Sequence, residues 1–368
     1  MGENFESAMM ERPGTAASEP PAELLARVSA LATSRRRPLT REQYVAGILA
    51  GDRTILARAI TLVESMRESD RLLAEQLVED CLPHTGNSVR VGITGIPGAG
   101  KSSLIETLGG YLTETRQEKV AVLAIDPSSQ ISGGSILGDR TRMLTLAASP
   151  MAFIRPSPSR GTYGGVAQRT REAMLLCEAA GFSNIIVETV GVGQSETAVH
   201  DMVDFFVLTL IAGAGDDLQG IKRGVMELAD VVLINKADGS NQRAAERARS
   251  EAEHALHFFP ASASGWTPLA LTCSAQTGAG VRELWQHILQ HNQLTRSNGS
   301  LARHRQTQMR RWMHEIVEQG LRARFDQHPA VRDRIQQVED EVAAGQTTSF
   351  RAARLLLEAY AGPREPQQ

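Results

Sequence analysis

Residues 95–102 read Gly-Ile-Pro-Gly-Ala-Gly-Lys-Ser. They fit the P-loop pattern G-x-x-x-x-G-K-[ST], in which glycines let backbone N–H groups turn toward a phosphate chain. An apolar run at residues 89–93 predicts a strand before the loop, and residues 103–115 predict a helix after it. In this strand–loop–helix setting a lysine reaches the terminal phosphates and a hydroxyl holds Mg²⁺. The predicted phosphate-binding residues are Gly95, Gly98, Ala99, Gly100, Lys101, Ser102 and Ser103.

A second motif predicts which nucleotide is bound. Residues 231–234 are a continuous apolar run, as expected for a buried parallel strand, and Asn-Lys-Ala-Asp follows at residues 235–238. The Asp238 carboxylate can accept from the ring N–H and the exocyclic amine of guanine, a pair of donors that adenine lacks. We expect Lys236 to cover the base and Asn235 to tie this loop to the P-loop. The motif therefore predicts GTP and GDP as ligands.

The end of the next strand is expected to complete the guanine site. Residues Leu269–Thr272 read as a strand and lead into Cys-Ser-Ala at residues 273–275. We expect Ser274 and Ala275 to border the base, with the Ala275 N–H contacting the guanine oxygen.

The hydrolysis machinery is predicted at the end of another buried strand. Residues 184–187 read Asn-Ile-Ile-Val, of which the last three are apolar, and Glu-Thr-Val-Gly follows at residues 188–191. Glu188 is expected to organise the Mg²⁺ shell, and the N–H of Gly191 to meet the terminal phosphate. Val192 stands where Ras-like proteins carry a water-positioning glutamine, although Gln194 is a nearby candidate. We therefore expect slow intrinsic hydrolysis that a partner accelerates.

Two further acids frame a glycine-rich loop. Asp126 ends the predicted strand Val120–Ile125, and Asp139 lies thirteen residues later. Both are predicted to face Mg²⁺ or the attacking water. The alternative is a structural Asp126 and an Asp139 that caps a helix at residues 141–146.

Composition sets the broad class. The chain has 368 residues, 42% hydrophobic and 22% charged, as is usual for a globular protein. A net charge of −3 favours neither nucleic acid nor an anionic membrane as a partner. Three scattered cysteines are typical of a reducing compartment, and no apolar stretch reaches the roughly 18 residues of a membrane span. The first 20 residues resemble neither a secretory signal nor a transit peptide, so we expect a cytoplasmic protein.

Alternating strand and helix signals over residues 85–292 predict an α/β domain with a mostly parallel sheet flanked by helices. Residues 1–20 are rich in Glu, Pro and Ala and predict a disordered tail. Residues 21–84 predict a helical extension, with a capping box at residues 40–43. Residues 293–368 are charged and helical and are expected to pack on this domain or on another subunit.

Five longer strings resemble the MeaB/ArgK family, the G-protein chaperones of adenosylcobalamin-dependent acyl-CoA mutases, also described as methylmalonyl-CoA mutase-associated GTPases. They are VLAIDPSS, GGSILGDRTRM, FIRPSPSRGTYGGVAQRTREAMLLCEAAGF, VETVGVGQSETAV and GAGDDLQGIKRG. The resemblance covers residues 40–330. It implies a SIMIBI-class P-loop GTPase that forms a homodimer through helical extensions. It also implies a mutase partner, whose cofactor loading the GTPase gates and which it protects or reactivates; adenosylcobalamin belongs to the mutase.

The resemblance also implies roles for individual residues. Lys101 and Ser102 match the phosphate lysine and the Mg²⁺ hydroxyl. Asp126 and Asp139 match acids tied to Mg²⁺ and the first switch, and Glu188 with Gly191 matches the second. Residues 211–222, which end in Lys222, match a third switch through which the family senses the mutase.

Other interpretations remain open at this stage. A nickel-type metal-insertion GTPase would need clustered Cys or His ligands, but the nine histidines are dispersed and no C-x-x-C occurs. A small-molecule kinase, as older labels in the family read, would transfer phosphate to an acceptor other than water. A binding module without turnover is also conceivable, because the usual glutamine is absent. The sequence leaves open which mutase is served: the methylmalonyl-, isobutyryl-, 2-hydroxyisobutyryl- and ethylmalonyl-CoA mutases all qualify.

Overall fold

Seven parallel strands form one sheet in the computed structural model, which describes residues 39–65, 67–125, 143–157, 163–189, 195–213, 223–259 and 262–362. The order across the sheet is β3-β2-β4-β1-β5-β6-β7. The strands are β1 Val89–Gly95, β2 Val120–Ile125, β3 Ala152–Ser157, β4 Asn184–Thr189, β5 Phe205–Ile211, β6 Val231–Asn235 and β7 Leu269–Thr272.

Helices cover both faces of the sheet, and the chain from Arg41 onward forms one compact unit. None of the described helices is both long and apolar enough to cross a membrane. In chain order the helices are α1 Arg41–Leu49, α2 Arg53–Val63, α3 Glu68–Cys81, α4 Lys101–Gly110, α5 Leu144–Ala148, α6 Tyr163–Ala179, α7 Ser195–His200, α8 Arg223–Glu227, α9 Gln242–Leu256, α10 Val281–Ser297, α11 Ser300–Gln327, α12 Pro329–Ala343 and α13 Ser349–Ala361.

The central strands are apolar on both faces because both faces are covered. In β1, Val91 pairs with Ile186 of β4 on one side and with Phe205 of β5 on the other. The strands β2, β4 and β6 are buried at every position. In a parallel sheet the carboxyl ends of all strands meet at one edge. The P-loop after β1, Glu188 in β4 and Asn235 in β6 therefore come together there.

The edge strand β3 was absent from the sequence-based predictions. It contains Arg155 and Pro156, which interrupt an apolar pattern, and it pairs only with β2. Proline is tolerated in an edge strand because one side makes no ladder hydrogen bonds. Arg155 also forms an ion pair with the buried Glu64, the residue that follows α2.

The helix after the P-loop extends to Thr115 as predicted, but its type changes on the way. The α-helix α4 ends at Gly110, and a π-helical turn, Tyr111–Thr115, continues it. Gly109 lies against α5, and a Cβ there would come within 2.5 Å of Leu146 Cδ2. Close packing of these two helices therefore requires glycine at this position.

The C-terminal helices are joined to the sheet through a partly buried arginine. Arg305 of α11 donates to Asp204 Oδ1 at 2.8 Å and to its Oδ2 at 2.6 Å, and also to the carbonyls of Gly86 and Ser88. Burial opposes ionisation of Asp204, but the hydrogen bonds from Arg305 hold its pKa below the usual value. Helix α10 runs without a break through residue 292, where the sequence analysis placed a domain boundary.

Candidate nucleotide-binding site

The P-loop backbone requires glycine at two positions. Gly95 has φ +148°, and a Cβ there would lie 2.0 Å from the carbonyl oxygen of Thr209. Gly100 is left-handed with φ +82°, and a Cβ there would lie 2.7 Å from Asn235 Nδ2. A side chain at either position would collide with a neighbouring strand end. The glycines of the motif are thus explained by close approach as well as by backbone conformation.

Lys101 begins α4 and turns back over its own loop. Its Nζ donates to the carbonyl oxygen of Gly95 at 2.8 Å and to that of Ile96 at 3.2 Å. Burial lowers the pKa of Lys101, and the negative charges of Glu188 and Glu196 partly offset that effect. The ammonium is therefore held by weak neutral acceptors that a phosphate can replace.

Ser102 and Glu188 converge beside the P-loop. Ser102 Oγ donates to Glu188 Oε1 at 2.9 Å, and the two hydroxyls of Thr94 and Thr189 join β1 to β4 at 2.7 Å. A hydroxyl and a carboxylate are hard oxygen donors of the kind that Mg²⁺ prefers. The other predicted residues of this region, Asp126, Asp139, Gly191 and Lys222, lie outside the described residues.

Asn235 connects three segments of the site. Its Nδ2 donates to the carbonyl oxygen of Ala99 at 2.7 Å, and its Oδ1 accepts from the amides of Lys236 at 2.8 Å and Ala275 at 3.1 Å. The thiol of Cys273 also donates to Oδ1 at 3.4 Å. This geometry is the tie between the guanine loop and the P-loop that the sequence predicts.

Lys236 and Asp238 follow in a loop with special backbone geometry. Lys236 is left-handed, with φ +59°, and its Cε would lie 3.9 Å from a Cβ on Gly100. Its aliphatic stem therefore runs beside the P-loop. The carboxylate of Asp238 is half-buried and makes no hydrogen bond or ion pair within the described part of the chain, so it is available to a ligand.

The segment after β7 differs from expectation in detail. The Ala275 amide donates to Asn235 Oδ1 in this structure, so it is already engaged rather than open for the guanine oxygen. Its carbonyl accepts from Thr107 Oγ1 of α4 at 2.6 Å. Ser274 is fully buried and its Oγ accepts from the Thr277 amide at 3.1 Å, which shapes the turn. The sequence analysis did not single out Thr107, because no pattern in the neighbouring residues indicates that this position of α4 contacts the segment after β7.

Glu196 is a second residue that sequence reasoning passed over. It lies in the first turn of α7, is 9% exposed and raises the pKa of Lys101. The only signal in the sequence was an acid five residues after Gly191, and its burial depends on how α7 packs. In the described residues, no group of three or more His, Cys, Asp or Glu side chains assembles that could hold a metal ion.

Comparison with known proteins identifies the family. A family model described as "Methylmalonyl Co-A mutase-associated GTPase MeaB" matches residues 56–330. The chain belongs to the MeaB family. The family resemblance is thereby confirmed.

Individual relatives agree with this membership. GTPase ArgK of Escherichia coli is 50% identical over 271 residues, covering 74% of this chain and 82% of that protein. A mitochondrial methylmalonic aciduria type A homolog of Mus musculus is 44% identical over 329 residues, covering 87% of this chain and 79% of that protein. Among solved structures, an LAO/AO transport system kinase superposes with a TM-score of 0.71 at 38% identity, covering 88% of this chain and 98% of that chain.

This member of the MeaB family is a GTPase with GTP and GDP as its nucleotides. The predicted fold class, a P-loop α/β fold with a parallel sheet flanked by helices, is confirmed.

Proposed function

We propose that this GTPase is a chaperone of an adenosylcobalamin-dependent acyl-CoA mutase. It gates loading of the cofactor into the mutase and protects or reactivates that enzyme. The observation that carries the proposal is the match of residues 56–330 to a family described as mutase-associated. A relative named for methylmalonic aciduria supports the same partner class.

In the proposed site the phosphates lie over the P-loop. Backbone N–H groups of residues 98–103 and the ammonium of Lys101 bind the terminal phosphates. Lys101 exchanges the carbonyls of Gly95 and Ile96 for phosphate oxygens, which are stronger acceptors because they are charged. These contacts stabilise the charge on the phosphoryl group during transfer.

Mg²⁺ fits the oxygen donors beside the loop. Ser102 and Glu188 would hold it, together with Asp126 and Asp139. When bound, the ion neutralises charge on the phosphates. The observed Ser102–Glu188 hydrogen bond places the hydroxyl and the carboxylate within reach of one centre.

Guanine is proposed to lie against the loop after β6. Asp238 accepts from its ring N–H and exocyclic amine, and the stem of Lys236 covers one face. Asn235 acts by holding this loop, the P-loop and the Ser274–Ala275 turn together, because it hydrogen-bonds to all three segments.

Partner sensing is assigned to residues 211–222. We expect slow intrinsic hydrolysis that the mutase stimulates, with Lys222 ending the segment that responds. If replacing Asp217 and Lys222 leaves both mutase-stimulated hydrolysis and cofactor gating unchanged, this assignment is wrong.

A homodimer is proposed through the C-terminal helices. The long helix α11 carries four apolar side chains at every fourth position, each about half exposed: Met309, Met313, Val317 and Leu321. Residues four apart form one stripe on a helix. An apolar stripe of this length is unfavourable in water, and a second copy of the chain would cover it.

The direct test is GTP hydrolysis by the purified chain, alone and with each of several adenosylcobalamin-dependent mutases. One mutase is expected to raise the rate about tenfold or more. If none does so while GTP still binds, the chaperone proposal is wrong.

A second candidate is a kinase, because the relative with a TM-score of 0.71 is called a transport system kinase. A kinase would transfer the terminal phosphate to an acceptor other than water. Product analysis with arginine, ornithine and water as competing acceptors separates the two. A GTPase gives GDP and inorganic phosphate, whereas a kinase gives GDP and a phosphorylated acceptor.

A further inference from the structure

Glu196 is a buried carboxylate in the short helix that follows β4. It belongs to α7, which packs against β1 and β4, the strands that carry the P-loop and Glu188. Its side chain is 9% exposed, and Oε2 has no hydrogen-bond partner among the described residues. A buried carboxylate oxygen without a donor is unfavourable. Oε2 is therefore suited to a donor that arrives with the ligand.

The charge of Glu196 acts on Lys101 without a direct ion pair. Its carboxylate raises the pKa of the lysine, against the larger lowering by burial. Yet Lys101 Nζ donates to the carbonyls of Gly95 and Ile96 rather than to Glu196. Helix α7 runs from the carboxyl end of β4 back toward the start of β5, and its Val199 lies against Gly92 of β1, where a Cβ would come within 2.9 Å of Val199 Cγ1. Glu196 comes one turn earlier and therefore lies nearer the end of the sheet that carries the P-loop.

Glu188 has a different task. Its Oε1 accepts from Ser102 Oγ at 2.9 Å, so that carboxylate faces the hydroxyl expected at Mg²⁺. Val192 occupies the place of the water-positioning glutamine of Ras-like proteins. The chain therefore lacks a glutamine at that place but has a second buried acid, Glu196, whose charge acts on the predicted phosphate-binding lysine.

We propose that Glu196 positions the water that attacks GTP. Oε2 accepts a hydrogen bond from the water, and the water oxygen bonds to the terminal phosphorus. As that bond forms, the bond from phosphorus to the bridging oxygen breaks and its electron pair stays on GDP. The water proton passes to a phosphate oxygen, so the products are GDP and inorganic phosphate, and Glu196 ends the step unchanged. This role depends on the nucleotide site under Proposed function but not on a mutase.

The test is single-turnover GTP hydrolysis by Glu196→Ala with protein in excess, so that product release does not mask chemistry. Alanine removes the acceptor of the water's hydrogen bond, whereas glutamine would keep an acceptor oxygen. We expect the rate to fall about 100-fold or more, because a misplaced attacking group costs about that factor. The dissociation constants for GDP and for a non-hydrolysable GTP analogue should change by less than about threefold, because the role arises in the reaction and not in binding.

Two further variants make the result decisive. Glu196→Asp keeps a carboxylate and should retain more activity than Glu196→Ala. Glu172→Ala, the same change at a half-buried glutamate of α6 that accepts from Gln168, should hydrolyse GTP at the rate of the unmodified protein.

Two results would overturn the role of Glu196. One is hydrolysis by Glu196→Ala within about threefold of the unmodified rate. The other is a loss of affinity for the GTP analogue as large as the loss of rate, since that describes a residue that only shapes the pocket. Failure of the unmodified protein to bind GDP would overturn the nucleotide site as well.

Discussion

The side-chain amide of Asn235 donates to the backbone carbonyl of Ala99 at 2.7 Å, across 136 residues of sequence. A single side chain thus links the predicted base-binding loop to the predicted phosphate-binding loop. Because its Oδ1 also accepts from the Ala275 amide, the residue aligns three strand ends at once. We expect the binding of both halves of a nucleotide to depend on this alignment.

Replacing Asn235 with alanine should weaken nucleotide binding and the fold together. The variant leaves the amides of Lys236 and Ala275 without their acceptor, so we expect a stability loss of about 1–3 kcal/mol. GDP affinity should fall about 10–100-fold, measured by titration of a fluorescent GDP analogue, because the two loops are no longer held in register. Asn298→Ala, which removes a bond to the Ser264 carbonyl on the surface, is the matched control and should keep its GDP affinity. Unchanged GDP affinity in Asn235→Ala would contradict this role.

Replacing Asp238 with asparagine should change the preferred base. An amide can no longer accept both guanine donors, but its N–H₂ can donate to the carbonyl that xanthine carries in place of the amine. We expect GTP affinity to fall about 100-fold or more and affinity for xanthosine triphosphate to rise. Competition binding with the two nucleotides measures the ratio. Because the carboxylate of Asp238 makes no hydrogen bond or ion pair with other described residues, the thermal unfolding temperature of the variant without ligand should not change. Equal GTP affinity in variant and parent would remove Asp238 from the site.

Removing Arg305 should destabilise the protein strongly. Asp204 is buried, and its carboxylate would lose the ion pair that holds it in the charged form. We expect Arg305→Ala to lower the free energy of unfolding by about 3–5 kcal/mol, measured by urea denaturation. Arg322→Ala on the same helix breaks only an exposed pair with Asp326 at 3.9 Å, and should cost less than about 0.5 kcal/mol. Similar losses in both variants would mean that Arg305 does not anchor α11.

The pH dependence of stability should reveal Asp230. Burial raises the pKa of its carboxyl to about 7, against about 3.9 in an unfolded chain. The folded state thus keeps a proton that the unfolded chain releases. Its stabilising effect is complete below about pH 4 and is lost as the pH rises to about 7. His291 lines the same cavity of about 360 Å³, and burial lowers its pKa to about 4. Its effect on stability has the opposite pH dependence: the stabilisation is present above about pH 6.5 and is lost as the pH falls to about 4.

Asp230→Asn separates the two effects. Asparagine can still accept from the Phe206 amide but does not titrate. As the pH rises from about 5 to about 8, the free energy of unfolding of the variant should increase by about 2 kcal/mol relative to that of the parent, measured by urea denaturation. Asp201→Asn is the control. Burial would raise the pKa of Asp201, but hydrogen bonds from His200 and Arg311 keep it low, so this control should show no such trend in that range. A pH-independent difference for Asp230→Asn would contradict the prediction.

A charge in the apolar stripe of α11 should separate the proposed dimer. Val317→Glu places a carboxylate at the centre of the stripe, and sedimentation velocity should show a monomer where the parent is a dimer. His314→Glu adds the same charge at an exposed position of the same helix, outside the stripe, and should remain dimeric. A parent that is monomeric at tens of micromolar would contradict the dimer itself.

Much of the fold was predictable because its signals are local. The strands Val120–Ile125 and Leu269–Thr272 lie where their apolar runs predict them. Strand β3 was missed because Arg155 and Pro156 break the apolar pattern. An edge strand tolerates such residues, since it forms hydrogen bonds with only one neighbouring strand. The predicted domain boundary at residue 292 lies inside α10, because a charged composition does not tell where a helix ends.

The sequence by itself determined the ligand class. Two short motifs indicate it. Residues 95–102 supply the glycines, the lysine and the hydroxyl that bind phosphate and Mg²⁺, and residues 235–238 supply the Asn-Lys-x-Asp run that binds guanine. The tertiary structure alone decided that the Ala275 amide is held by Asn235, and that Thr107 reaches the same turn. It also decided that Glu196 is buried and that its charge acts on Lys101. Such contacts join residues far apart in the chain, and they depend on how α4 and α7 pack on the sheet, which no local pattern encodes.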